Sequence, residues 1–182
     1  MKKQALIGLG LFLLGGLTLT AGVRVEAKGS YFSSENSTFR DIYGGTPKLG
    51  LEAGIEVAKD ISVWAGVDYV HKTGKLTATP DETRVTLIPL GLGVRYEVPV
   101  GTKLRFHVGA GVQEVLFKED NVIGTVNTNA LGFIAAAGGV FRLTKAVGID
   151  LFVSWSTCKM KNAGLEFKVG GLDAGGGIEI RF

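Results

Sequence analysis

Two histidines, His71 and His107, and a single cysteine, Cys158, are the scarce reactive groups of the chain. Acyl transfer would need Ser154 or Ser156 as nucleophile, an imidazole within hydrogen-bond reach to take its proton, and an acid to hold that imidazole. Both serines fall in a different alternating segment from His107, and a triad is a matter of geometry rather than of residue content. No catalytic residue is assigned, and the chain is not expected to be an enzyme. His107 reads as a hydrogen-bonded residue among charges, and His71 as an interface residue. Cys158, alone, can form neither an intrachain disulfide nor a thiolate metal cluster and reads as a small buried or loop-end side chain. Glu119, Asp120 and Asn121 lack the spacing of a metal site and read as a solvated loop cluster. The glycines lie within alternating segments rather than between a strand and a helix, so no phosphate cradle is present. No metal and no cofactor is expected.

The elements that position these groups begin after residue 22. Lys2 and Lys3, the apolar run ALIGLGLFLLGGLTL, and the small residues Thr20, Ala21 and Gly22 have the layout of a secretory signal peptide over residues 1–22. The run is short and glycine-interrupted for a membrane helix. Cleavage after Gly22 suits the small residues, whereas cleavage after Ala27 would delete most of the next strand. Residues 23–182 then form one domain. Of the 20 basic residues, the 18 left without Lys2 and Lys3 nearly balance the 17 acidic ones, which gives no argument for a nucleic-acid partner. With 28 glycines and 4 prolines, sheet is favoured over helix.

From residue 23 onward the hydropathy period is two. Eight alternating runs cover 23–32, 48–58, 61–72, 86–98, 103–117, 130–143, 147–158 and about 167–182, each near the ~9–11 residues that a tilted strand needs to cross a bilayer. One face carries Arg24, Glu26, Lys28, Lys48, Glu52, Glu56, Asp68, Lys72, Arg95, Glu97, Arg105, His107, Arg142, Asp150, Asp173, Glu179 and Arg181. The opposite face is nearly free of charge, with Glu114 the exception, placed above the hydrocarbon band. Such exclusion is expected where a lone charge costs about 2–4 kcal/mol at the bilayer midplane. Connections alternate between short turns at 58–60, 99–102 and 144–146 and long polar stretches at 33–47, 73–84, 118–129 and 159–166. This is the pattern of an up-and-down antiparallel barrel with short periplasmic turns and longer external loops. Outward aromatics form two belts, Tyr31, Tyr69, Phe133 and Trp155 near the long loops and Tyr96, Phe106, Phe141 and Phe182 near the short turns. Trp64 points inward, with Gly50, Gly54, Gly91, Gly93, Gly109 and Gly111 expected to make room for it.

The chain ends in GLDAGGGIEIRF, and over the whole mature length it resembles the small eight-stranded outer-membrane barrels of the OmpA transmembrane-domain, OmpX and OmpW kind. Members of that family close on a polar residue, a glycine and alternating hydrophobics with a terminal aromatic, read by the barrel-insertion machinery. Asp173, Gly177, Ile180 and Phe182 match, and Gly175 stands where a hydrophobic residue is expected. The resemblance implies an all-β, eight-stranded transmembrane barrel in a bacterial outer membrane, surrounded by outer-membrane lipid, with both mature termini periplasmic. Its inward charges can neutralise one another, so the lumen is expected to be filled and the role structural or directed at an unknown surface ligand. A narrow channel or carrier for small molecules is the alternative, and a lipid-modifying acyl hydrolase or transferase a more remote one. In the first long stretch, Ser37 or Thr38 could cap a short helical turn that Gly44 and Gly45 stop. Phe39, Ile42 and Tyr43 would then form its apolar side, either as a lid over the barrel mouth or as an interaction surface.

Overall fold

The computed structural model describes residues 22–75, 81–122, 124–162 and 165–182. The expected leader, apart from Gly22, lies outside the described residues. The elements in chain order are β1 (Val23–Ser34), α1 (Ser37–Tyr43), β2 (Thr46–Ala58), β3 (Ile61–Lys75), β4 (Glu82–Val100), β5 (Leu104–Asn121), β6 (Gly124–Arg142), β7 (Val147–Asn162), β8 (Leu165–Lys168) and β9 (Gly171–Arg181). Consecutive strands pair antiparallel, β8 and β9 both pair with β7, and β9 returns to β1. The result is a closed barrel of eight staves, β8 and β9 forming the last one with a break at Val169 and Gly170.

Alternation decides the two faces because side chains of a pleated strand point to opposite sides. Leu51, Leu92, Val108, Leu151 and Ile178 stand exposed on the outside, whereas Arg24, Glu26, Arg95, His107, Asp150 and Glu179 are buried within. Closure leaves no free sheet edge along the apolar band, which satisfies every ladder group without water.

The strands run further than the hydropathy pattern suggests. Much of 73–84, 118–129 and 159–166 is ladder, with Lys75 opposite Glu82, Asp120 opposite Thr125 and Lys161 opposite Glu166. Loss of apolar alternation marks where the outer face meets water, while backbone pairing continues as long as hairpin partners stay in register.

At the long-loop end the inside of the barrel is apolar. Phe32, Val70, Val85, Leu87, Val115, Phe117, Cys158, Met160 and Val169 form a buried cluster against which α1 packs Phe39 and Ile42. The helix is capped one residue earlier than expected, by Asn36, whose side chain accepts from the Phe39 amide at 3.1 Å. It stops at Gly44, whose φ of 65° suits glycine.

Candidate functional site

The lumen is built from four levels of inward side chains. Nearest the short turns, the planar guanidinium of Arg181 reaches Glu97 with two contacts of 2.6 and 2.7 Å and Glu179 with one of 2.6 Å. Arg105 bridges Glu97 at 3.2 Å and Asp60 at 3.4 Å. Asp60 lies in a short turn at φ 61°, outside the alternating runs, and no strand parity marks it as a lumen partner.

Above this, Arg95 occupies the axis. It lies within 3.4 to 3.8 Å of Glu26, Glu52, Glu97, Asp150 and Glu179. Its Nε and Nη2 make no aligned hydrogen bond, so this contact is mainly a charge surrounded by opposite charges. Arg24 adds Glu26 at 2.9 Å and Glu52 at 2.6 Å, and Lys28 holds the second Glu52 oxygen at 2.7 Å. His107 Nε2 contacts both Asp150 oxygens at 2.9 and 3.0 Å. Ions taken from water are costly unless several partners surround each of them, and this belt supplies those partners from six strands, since Arg24, Glu52, Arg95, His107, Asp150 and Glu179 come from different staves and Lys28 lies on the same strand as Arg24.

The next level is lighter. Lys48 bridges Asp173 at 2.8 Å and Asp68 at 3.4 Å, and the Ser154 hydroxyl donates to Asp173 at 3.2 Å. Ser154 and His107 therefore serve different carboxylates, Asp173 and Asp150, rather than each other. Trp64 lies between these levels. A side chain at Gly91 would sit 2.8 Å from its ring and one at Gly93 2.7 Å, while the nearest neighbours of Gly50 and Gly54 are Asp68 and Arg24, and of Gly111 the Leu92 backbone. Half of the glycines expected to accommodate the indole thus make room for other groups. A chamber of about 60 Å³ lined by Lys48, Trp64, Asp68 and Asp150 remains at this height. It has space for a few water molecules.

Two residues expected in the charge network lie apart from it. Glu56 is exposed at the short-turn mouth, and Arg142 donates to the Lys145 carbonyl at 2.7 Å. Both sit in a vestibule of about 260 Å³ that also contains Phe182. Their strand parity is inward, but they stand in the outermost rungs at the short-turn rim, where the vestibule opens to water. Gly177 packs against the Glu26 carboxyl, Ile180 faces outward and Phe182 is exposed, its amide donating to the Val23 carbonyl at 2.9 Å. Glu114 also faces outward and accepts from Asn129 at 2.7 Å, and His71 stacks on Tyr69.

The fourth level is the apolar cluster and its helix. Tyr43 is buried, and its hydroxyl, Thr83 Oγ1 and Glu119 Oε1 form a triangle with sides of 3.0 Å. Burial, opposed by the Thr83 hydrogen bond, pushes the Tyr43 phenol above its ordinary value, so it stays a donor at any physiological pH. Phe39 packs against Tyr43 at a centroid distance of 4.7 Å with the rings tilted by 44°. The apolar side of α1 therefore faces the cluster rather than open water, leaving Phe39, Ile42 and Tyr43 as walls of a cavity of about 250 Å³ shared with Phe117, Val126, Met160 and Val169. Tyr43→Phe removes two contacts to a carboxylate-centred group, and a loss of about 1–2 kcal/mol is expected in denaturant unfolding. An unchanged midpoint would mean that α1 is held by its apolar contacts alone. The apolar cluster was legible in principle, since Val85 and Leu87 share the inward parity of Gly93 and Arg95.

No protein-family model matches the sequence, and no curated protein matches it either. Solved structures do. Neisserial surface protein A aligns with a TM-score of 0.64 at 15% identity, covering 89% of this chain and 97% of its own. The outer membrane protein OprG from Pseudomonas aeruginosa gives 0.64 at 13% identity, covering 89% and 96%. Ail, the attachment invasion locus protein of Yersinia pestis, crystallised with the heparin analogue sucrose octasulfate, gives 0.55 at 12% identity, covering 88% and 99%. Closed antiparallel topology, an apolar outside, an ionic inside and these likenesses together give the chain the fold of the small eight-stranded outer-membrane β-barrels.

Proposed function

We propose that the protein is an integral outer-membrane barrel with a closed lumen, whose work is done by contacts at its external face rather than by transport or catalysis. In this reading the short turns and both mature termini are periplasmic, lipid covers the apolar band, and residues 1–22 are removed on export. Gly177, Ile180 and Phe182 address the insertion machinery. The observation that carries it is the double closure of the lumen, by the ion-pair belt around Arg95 and by the apolar cluster under α1. Buried charges paired this closely offer a passing ion no exchange of partners without breaking several contacts. Ail with its sulfated sugar is a precedent for ligand binding on such a fold.

A second reading, a carrier for small apolar molecules, is favoured by the apolar cavity beneath α1. Planar-bilayer recording of the purified protein separates the two. Rare or no steady openings are expected; large, steady conductance from the wild type would overturn the closed lumen. Saturable binding of an apolar fluorophore, lost in Ile42→Asp with an unchanged unfolding midpoint, would favour the carrier.

A further inference from the structure

In the β7–β8 hairpin, Lys159 stands directly opposite Lys168. Both side chains are exposed, and like charges placed opposite each other weaken an antiparallel pair. On its other side Lys159 is opposite Leu131 of β6, which offers no carboxylate. The outward carboxylate beyond Leu131, Glu114, is taken by Asn129.

Other outward cations at this end stand near a carboxylate, Lys75 being opposite Glu82 in the ladder. Lys118 pairs with Asp120 at 2.9 Å, and Arg84 approaches Glu82 at 3.9 Å. Among the described residues, Lys159 and Lys168 have no such partner. Their height adds to the point. Trp155, opposite Leu172, is the last large aromatic of the apolar band on β7, and Lys159 lies four residues further on the same face. Lipid headgroups lie at that boundary, and an aromatic belt marks it.

We propose that Lys159 and Lys168 together bind the phosphate of an anionic lipid in the leaflet at the long-loop end. Two ammonium groups flanking one phosphate make charge-assisted hydrogen bonds to different oxygens. The repulsion that burdens the empty rung is thereby relieved, so lipid binding and barrel stability are linked. The proposal rests on the membrane reading above but is independent of what the external face binds.

The test uses the full barrel in phosphatidylcholine vesicles with and without a minor fraction of phosphatidic acid. Anionic lipid retained with the protein is measured by native mass spectrometry, and stability by urea unfolding. For the wild type, phosphatidic acid should be retained and raise the midpoint. Lys168→Gln should lower retention about fivefold, the factor carried by one ammonium near an anionic surface, and Lys159→Gln with Lys168→Gln should abolish it. In phosphatidylcholine alone the single variant should unfold at an equal or higher urea concentration, because the repulsion is gone, which also shows that it folds. Equal retention by wild type and double variant would overturn the site. Equal stabilisation by inorganic phosphate without phosphatidic acid would overturn the lipid as its source. Failure of the wild type to insert into either vesicle would overturn the membrane reading, and this site with it.

Discussion

Arg95→Met should destabilise the barrel by about 3–5 kcal/mol, the cost of leaving buried charges without their partner. Five carboxyl groups, those of Glu26, Glu52, Glu97, Asp150 and Glu179, lie within 3.8 Å of its guanidinium. Methionine fills most of the volume but returns no charge, so these groups must take up protons or water in a space that admits little of either. Lys keeps the charge on one point instead of a plane of donors, so Arg95→Lys should fall between the two. The exposed Glu56 is the control. Glu56→Gln should shift stability by less than about 0.5 kcal/mol, as surface changes away from special features do. Urea unfolding of the refolded protein in lipid, followed by tryptophan emission, measures all three. A midpoint for Arg95→Met indistinguishable from that of the wild type would mean that Arg24, Lys28 and Arg181 hold the belt without it.

The second large effect concerns the outside. Leu92 is 53% exposed and Leu131 70% exposed, so in a water-soluble barrel replacing either by arginine should be nearly neutral. In a bilayer the two differ by depth. Leu92 lies in mid-strand on β4, opposite Ala65 and Val112, whereas Leu131 is opposite Lys159 at the polar boundary. Leu92→Arg should cost about 2–4 kcal/mol and Leu131→Arg about 0–1 kcal/mol in lipid. The difference between the two variants is the informative quantity, since it cancels any general effect of adding a charge. Equal, small costs would mean that no hydrocarbon surrounds the barrel.

Much of this architecture is legible in local pattern. A pleat sends alternate side chains to opposite faces, so the parity of Leu49 and Leu51 against Lys48 and Glu52 assigns outside and inside before any partner strand is known. The same parity misleads about depth. Glu56 and Arg142 share the inward phase of Glu52 and Gly138 yet stand in the open vestibule, because phase says nothing about height along the barrel. The cap falls on Asn36 rather than Ser37 or Thr38, all three being competent caps, and packing of Phe39 and Ile42 on the apolar cluster selects among them.

From its sequence alone the chain determined a two-residue period repeated in eight runs, alternating short and long connections, and the separation of charged from apolar faces. These are properties of neighbouring residues and need only the geometry of an extended strand. Tertiary structure alone decided that Arg95 meets four carboxylates from other strands, that Asp60 answers Arg105, that α1 folds its apolar side over the mouth, and that Lys159 faces Lys168. The reason is that strand tilt and stagger, set only when the sheet closes on itself, determine which side chains share a height across the lumen.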